Sequence, residues 1–480
     1  MGIDINWLRE DKGGNPDEVR ESERKRFRDP KVVDDIIATD NSWRQELYQM
    51  ESMKKTMNDI NKAIGKKKKD NKDDPCEAEM AEVATVKANI AEQEKKVDVI
   101  AGQRDSLLHK IGNLVHPSVP VSDNEDNNQV VRRWGVPSRV VFDGKTPGRL
   151  YHHQVLAKLC GYEPERGALC AGHRGYFMRG AGVMLNMALI NYGVQFLIKK
   201  GYLPLYPPFF MKKDVMNETA ELKDFEETLY RIPGKQSGEK ESDGTPDMFL
   251  IATSEQPISA FHRGDWLRPD ECPKRYAGVS TCFRKEAGSS GKDMWGIFRV
   301  HQFEKVEQFC ITSPEESWAM HEEMIGIAEE FYQSLELPYQ VIAIVSGALN
   351  DAAAKKYDLE AWFPGYETYR ELVSCSNCTD YQARQLEVRH GQKKSGEREK
   401  KYCHMLNATL VASQRTMCCI LENYQTPTGV RVPRVLIPYM GGEEFLPFPE
   451  EAPAAAGKDK DKDKEGKKES IKDKPEQNGG

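Results

Sequence analysis

Thr281-Cys-Phe-Arg-Lys-Glu286, then a Gly/Ser-rich loop, then Gly296-Ile-Phe-Arg-Val-His-Gln-Phe-Glu-Lys-Val-Glu307 is the stretch on which the fold turns. β-Branched and aromatic residues crowd both arms, and the polar run from Gly288 to Asp293 between them predicts a hairpin of two strands. Such a hairpin brings Arg284 and Arg299 together from two sides. Paired guanidiniums suit a polyphosphate, because each makes planar, bidentate, permanently charged contacts. The neighbouring carboxylates suit an amine or a hydroxyl. The same spacing also fits an arginine–glutamate lattice on an exposed sheet, so the hairpin alone leaves both readings open.

Upstream, apolar residues recur at helical spacing from Trp43 through Leu47, Met50, Met57, Ile60 and Ile64, and the pattern stops at Gly65. A charged run, Lys66 to Pro75, follows, and a second series reads Met80, Val83, Val86, Ile90, Val97, Ile100, Leu107 and Ile111. Steps of three and four on both sides of a polar turn predict two antiparallel helices forming a coiled-coil arm over about 40–112. The seam is too narrow for a globular core, so the arm should project. Lys54, Lys55, Lys62, Lys66, Lys67, Lys68 and Lys69 load its tip with positive charge, which fits either phosphate attraction or a solvated helix end.

The chain has 480 residues and a net charge of -7, so it is not basic as a whole, and contact with nucleic acid must come from a local patch. Eleven unevenly spaced cysteines do not suggest a secreted disulfide scaffold, and no run of about 18 apolar residues predicts a membrane span. The opening Met1-Gly-Ile-Asp-Ile-Asn-Trp is expected to be neither a signal nor a transit peptide, which points to a reducing cytosol. Residues 1–117 are expected to form an N-terminal domain, 118–135 a linker rich in Pro and polar residues, 136–448 a second domain, and 449–480 a disordered charged tail. Strand patterns such as Tyr339–Val345 and Val430–Ile437 do not alternate strictly with helices, so the second domain is expected to be α+β with an antiparallel sheet.

Glycine-rich phosphate cradles are absent, so a bound nucleotide would be held by side chains. Beyond the hairpin the candidates are Glu371 and Ser374, with Arg415 in the first turns of a helix, where a phosphate is also favoured. Cys375-x-x-Cys378 with Cys403-His404 does not have the spacing of a common zinc finger, and no structural zinc is expected.

Phe283-Arg-Lys-Glu286 with Phe298-Arg-Val-His-Gln-Phe303 resembles motif 2 of the class II aminoacyl-tRNA synthetases, and Arg299 to Phe309 is similar to seryl-tRNA synthetase in particular. Gly201 to Pro208 resembles motif 1, Thr253-Ser-Glu-Gln-Pro257 a serine-binding loop, and Gln414-Arg-Thr416 motif 3. Ile111 to Ser118, Glu371 to Ser374, Leu406 to Thr409 and Val432 to Gly441 also match in the family's order. Ala408, Leu410 and Ser413 replace small glycines, as in the eukaryotic cytosolic branch.

The resemblance implies serine–tRNA ligation: L-serine and ATP give seryl-adenylate, and serine then passes to the 3′ end of tRNA(Ser), with tRNA(Sec) as a second substrate. It implies a cytoplasmic homodimer with Pro207 at its interface, and Mg²⁺ held with ATP by Glu371 and Ser374. Thr253, Glu255, Glu307, Asn407 and Thr409 are implied around serine. Arg284, Lys285, Glu286, Arg299, Val300, Phe303, Glu371, Leu372, Val373, Ser374 and Arg415 are implied around ATP. Beside this implication the lysine-bearing arm becomes a tRNA-binding element that recognises shape. Two rival readings are a paralogue that loads a carrier protein and a catalytically silent RNA-binding paralogue. The full arm speaks against the first, and the presence of Arg284, Glu286 and Arg415 against the second.

Overall fold

The computed structural model describes residues 2–137, 150–220, 227–234, 247–286, 295–391 and 400–449. The loop from Gly288 to Asp293 and the charged tail after Pro449 lie outside these residues. Two long helices, α1 (Lys31–Asp70) and α2 (Glu77–Leu108), pack antiparallel as the expected arm, and α2 is ~48 Å long at 1.5 Å per residue. Ile90 and Val97 are buried in the seam, and buried Gln93 donates from Nε2 to the carbonyl of Glu46 at 3.0 Å. Contrary to the sequence expectation, α1 does not stop at Gly65 but continues to Asp70. Lysine is a good helix former, and Lys67, Lys68 and Lys69 occupy the last turn, where the helix dipole favours cations. Extended Asn71 (φ -141°, ψ 111°) ends the helix.

Eight strands build the main sheet: β1 (Gln129–Trp134), β2 (Leu203–Leu205), β3 (Lys274–Phe283), β4 (Gln302–Thr312), β5 (Tyr339–Ala343), β6 (Lys355–Phe363), β7 (Thr368–Asn377) and β8 (His404–Ala412). Their spatial order is β1-β5-β6-β7-β8-β4-β3-β2, antiparallel throughout except that β2 runs parallel to β3. Strand β1 falls inside the segment read as linker. Its pairing with β5 carries the chain onto the sheet edge, and Val119 packs with Ile342 and Ile344. The strand expected over Val430–Ile437 is also corrected. Gly429–Arg431 is a strand, but Pro433 has no N–H to continue a ladder, and Arg434–Met440 turns into a 3-10 helix.

Helices α3 (Ala181–Lys199), α4 (Ser317–Ser334) and α5 (Ser413–Asn423) pack into the main core with one face of the sheet. Gly193 permits close approach of α3, since a Cβ there would lie 3.1 Å from Cγ1 of Val411. By length and composition α3 is apolar enough to cross a membrane, yet Leu185, Ala188, Leu189 and Leu197 are buried against the sheet. That packing identifies it as a core helix. The other sheet face is shared by the cleft described below and a second buried apolar cluster that includes Ile258, Phe309, Ile311, Ala383 and Met405.

Asn113 and Arg26 lock the N-terminal helices onto the sheet domain. Asn113 donates from Nδ2 to the carbonyls of Ala352 and Cys378, both at 2.8 Å, and Arg26 donates from Nη2 to those of Asn113 (2.8 Å) and Ala353 (2.7 Å). Buried carbonyls are thereby satisfied from across the junction, which fixes where the arm leaves the body.

Candidate active site

Strand alternation sets the cleft. On β4, Phe303, Lys305 and Glu307 share one face, and on β8 Asn407 and Thr409 face the same side. A bulge between Val306 and Glu307 brings Glu307 opposite Thr409. Glu371 and Ser374 are three apart and would face opposite ways in a regular strand. A second bulge opposite Leu359 and Glu360 resets the alternation, so both line the cleft. Together with Thr253, Glu255, Arg284, Glu286, Arg299 and Arg415 they surround a cavity of about 350 Å³.

The expected hairpin is present, with Phe283 paired to Gln302. Arg284 and Arg299 lie just beyond the paired strands, in the backbone that leaves and re-enters them. Glu286 sits at φ 49°, a left-handed conformation uncommon outside glycine, where the chain turns away from β3. Three arginines from three segments meet here. The Arg284 guanidinium lies 5.2 Å from the Phe303 ring centre and donates to the carbonyl of Ala252 at 3.3 Å. Arg299 pairs with Glu286 at 3.3 Å. Arg415, the third residue of α5, pairs with Glu371 at 3.2 Å and lies 4.9 Å from the Phe298 ring centre. Burial works against the charge on Glu371, but Arg415, Lys356 and Arg284 outweigh it and hold the carboxyl below its ordinary range.

A second cluster occupies the same face along β4, with Glu307 ~13 Å from Phe303 at about 3.3 Å per residue. Glu307 is ion-paired with Lys305, and both are buried. Thr253 donates from Oγ1 to Oε2 of Glu307 at 3.2 Å and accepts from Nζ of Lys305 at 2.8 Å. Glu255 accepts from Nδ2 of Asn407 at 3.0 Å and from Nε2 of Gln382 at 2.7 Å. The buried Glu307 and half-buried Glu255, held this way, offer acceptors for an ammonium or a hydroxyl.

Val300 and Leu372 line the cavity as expected, whereas Lys285 and Val373 do not. The amide of Lys285 bonds the carbonyl of Thr228 at 2.9 Å, and alternation turns Val373 into the core. Sequence reading missed Lys305, Lys356 and Asp358. The first two line the cavity, and Asp358 is paired in register with Ser374. Alternation Lys356/Asp358 on a strand opposite Ser376/Ser374 was the available signal, but only the pairing of β6 with β7 gives it meaning. Burial first, with the charge of Glu371 added, raises Asp358 to about 7 against the pull of Lys356 and a hydrogen bond from Ser374. Among the described residues its buried Oδ1 has no hydrogen-bond partner.

The lysines of the arm lie apart from this cleft. Lys54 pairs with Glu94 at 2.8 Å, Lys62 with Asp59 at 3.3 Å, and Lys67 with Glu79. Lys55, Lys66, Lys68 and Lys69 are exposed. Pro207 is half-buried beside β2, near a surface where Val183, Met184, Met187, Leu203 and Tyr206 are exposed.

A model of the seryl-tRNA synthetase N-terminal domain matches residues 3–115, and one of the tRNA synthetase class II core domain (G, H, P, S and T) matches 239–424. The chain is 54% identical over 457 residues to the cytoplasmic serine–tRNA ligase of Schizosaccharomyces pombe, covering 94% of this chain and 98% of that protein. It is 52% identical over 464 residues to the cytoplasmic enzyme of Saccharomyces cerevisiae, with 94% and 97% covered. The structure is similar to the cytoplasmic serine–tRNA ligase of Naegleria fowleri in complex with AMP, with TM-score 0.82, 49% identity, and 94% and 100% of the chains covered. Seryl-tRNA synthetase of Pyrococcus horikoshii complexed with ATP gives TM-score 0.82 at 37% identity, with 93% and 100% covered.

Proposed function

The chain belongs to the seryl-tRNA synthetase family, and from that premise we infer how its cleft carries out serine–tRNA ligation. The observation that carries the inference is the convergence of Arg284, Arg299 and Arg415 on one cavity that also holds Thr253, Glu255, Glu307 and Asn407. A phosphate-binding group and an amine-binding group thus share one wall.

Activation is attack of the serine carboxylate on the α-phosphorus of ATP with loss of pyrophosphate. It needs alignment and neutralisation of charge more than a general base. Arg284 takes the α-phosphate, and Arg299 and Arg415 take the outer phosphates. Phe303 stacks on adenine, Glu286 accepts from its amine, and the Val300 backbone borders the ring. Each arginine rests on a group that the ligand replaces or shares, namely Phe303, Glu286 and Glu371, so ATP exchanges contacts without uncovering bare charge. Thr253, Glu255, Glu307 and Asn407, with Thr409 beside them, take the ammonium and hydroxyl of serine. Alanine leaves these buried groups unpaired, and threonine is excluded by size.

Glu371 and Ser374 fit Mg²⁺ because they present only hard oxygen donors, and the unpartnered buried Oδ1 of Asp358 is close to Ser374. When bound, Mg²⁺ neutralises charge on the phosphate chain. The side chains then orient the reacting oxygens.

The exposed lysines at the tip of the arm grip the backbone of the tRNA variable arm. Recognition of this kind reads shape, and so extends to tRNA(Sec). Residues 1–117 serve as the tRNA-binding domain and 136–448 as the catalytic one. The apolar surface of α3 and β2, with Pro207, forms the interface of a homodimer. The relatives named as cytoplasmic support a cytoplasmic enzyme. ATP-dependent transfer of labelled serine to serine-accepting tRNA tests the reading. A base-labile ester on the tRNA is expected, and a failure of transfer with active tRNA would overturn it.

A further inference from the structure

Three soft or borderline ligands converge at the end of the β3–β4 hairpin opposite Arg284. Cys272 lies just before β3, Cys403 just before β8, and His390 in a two-residue strand (Arg389–His390) that pairs parallel with Trp266–Leu267. Their ligand atoms all lie within 4.8 Å of one another. Sequence spacing grouped Cys403 with Cys375 and Cys378, but the fold separates them. Cys375 turns its sulfur toward the carbonyl of His321, and Cys378 accepts from Asn407. Cys272 and Cys403 instead bring their sulfurs within 4.8 Å of each other.

His390 supplies a second, independent observation. It is 8% exposed, and among the described residues its buried Nδ1 has no hydrogen-bond partner. Buried polar atoms are rarely left so, and an imidazole nitrogen beside two thiols has an obvious use. Ile311, Leu386, Val388 and Met405 form the apolar side of the surroundings, and Glu271, Lys274, Glu315, Glu316 and Lys401 supply charges that act on Cys272 or His390.

We propose that Cys272, His390 and Cys403 bind a thiophilic divalent cation, zinc by the chemistry of the donors, as a structural staple remote from the cleft. Zinc with Zn–S bonds of ~2.3 Å holds its sulfurs about 3.8 Å apart in a tetrahedron, which small side-chain rotations reach from the observed separations. Glu316, which acts electrostatically on both Cys272 and His390, or a water completes the fourth position. Binding converts two thiols to thiolates and releases two protons, so affinity rises with pH. Two thiolates also exclude magnesium, which separates this site from the oxygen-lined one at Glu371. The staple ties together the starts of β3 and β8. Cys403 precedes Asn407 by four residues, ~13 Å of strand, so the ion supports the serine-facing strand without touching substrate.

The test uses the full chain expressed with zinc and purified under reductant without chelator. Elemental analysis should find about one zinc per chain, and cobalt exchange should give the visible d–d bands of a tetrahedral thiolate site. Cys403→Ser and His390→Ala should each lose the metal and the cobalt spectrum, and Cys160→Ser, an exposed control, should keep both. Should buried Cys403→Ser fail to fold, the half-buried Cys272→Ser carries the same expectation. Absence of metal from the wild-type chain, a cobalt spectrum untouched by these variants, or a Cys272–Cys403 disulfide in peptide mapping would each overturn the proposal.

Discussion

Replacing Glu307 with glutamine separates recognition from folding. Glu307 is 1% exposed and its partner Lys305 is 6% exposed, so the variant leaves a buried ammonium without its counter-charge. Removing one member of a buried pair costs about 3–5 kcal/mol of stability, seen as a lower unfolding midpoint. The same carboxylate is assigned to serine's ammonium or hydroxyl, and a hydrogen bond to a charged group contributes about 1.5–3 kcal/mol. At about 1.4 kcal/mol per factor of ten, kcat/KM for serine in ATP–pyrophosphate exchange should fall roughly 10- to 150-fold. The KM for ATP should stay near its original value. The double variant Glu307→Gln with Lys305→Met then discriminates. Removing the stranded charge should restore much of the lost stability, because apolar packing can replace a buried ion pair, but serine activation should stay impaired. Recovery of serine kcat/KM together with stability would refute the reasoning and reduce Glu307 to a neutraliser of Lys305.

Alanine at Lys66, Lys68 and Lys69 should cut tRNA charging and flatten its dependence on salt by roughly 0.9 in the log–log slope per lost phosphate contact, while ATP–pyrophosphate exchange survives; equal loss of both activities would refute the arm assignment. Asp358 is pushed up to about 7, so its carboxylate loses its charge as pH falls below that value. The apparent affinity for Mg²⁺ in the exchange reaction should therefore rise as pH increases through about 7, and Asp358→Asn should flatten that dependence. The folded state holds this proton more tightly than the unfolded chain, with its ordinary value of 3.8, so the same group lowers stability as pH rises from 3.8 to about 7. Met184→Asp with Met187→Asp places two charges on exposed apolar positions of α3, and sedimentation equilibrium should show a shift from dimer to monomer.

The arm, the hairpin and the arginine at the start of α5 were legible because each rests on local signals: apolar spacing, strand composition, and a helix whose first turn is polar. Lys66–Lys69 were misread as turn because charge was weighed above helix propensity and the dipole. Nothing local marked Asp358 or Lys305. A strand exposes every second residue, but which face becomes the cleft is decided by pairing, and bulges at Val306/Glu307 and Leu359/Glu360 shift the alternation by one. Lys285 and Val373 show the converse, carried into the expected site by neighbouring motif residues although neither lines the cavity. The grouping of Cys272 with His390 and Cys403 spans more than a hundred residues and no spacing rule could reach it.

Amino-acid-dependent ATP–pyrophosphate exchange, run with serine, alanine, glycine and threonine at equal concentration, tests the central claim most directly. The arrangement of Thr253, Glu255, Glu307 and Asn407 predicts vigorous exchange with serine and a rate roughly 10⁴-fold lower in kcat/KM with alanine, whose missing hydroxyl strands buried polar groups. Exchange with alanine within tenfold of serine, or none with serine, would contradict the account.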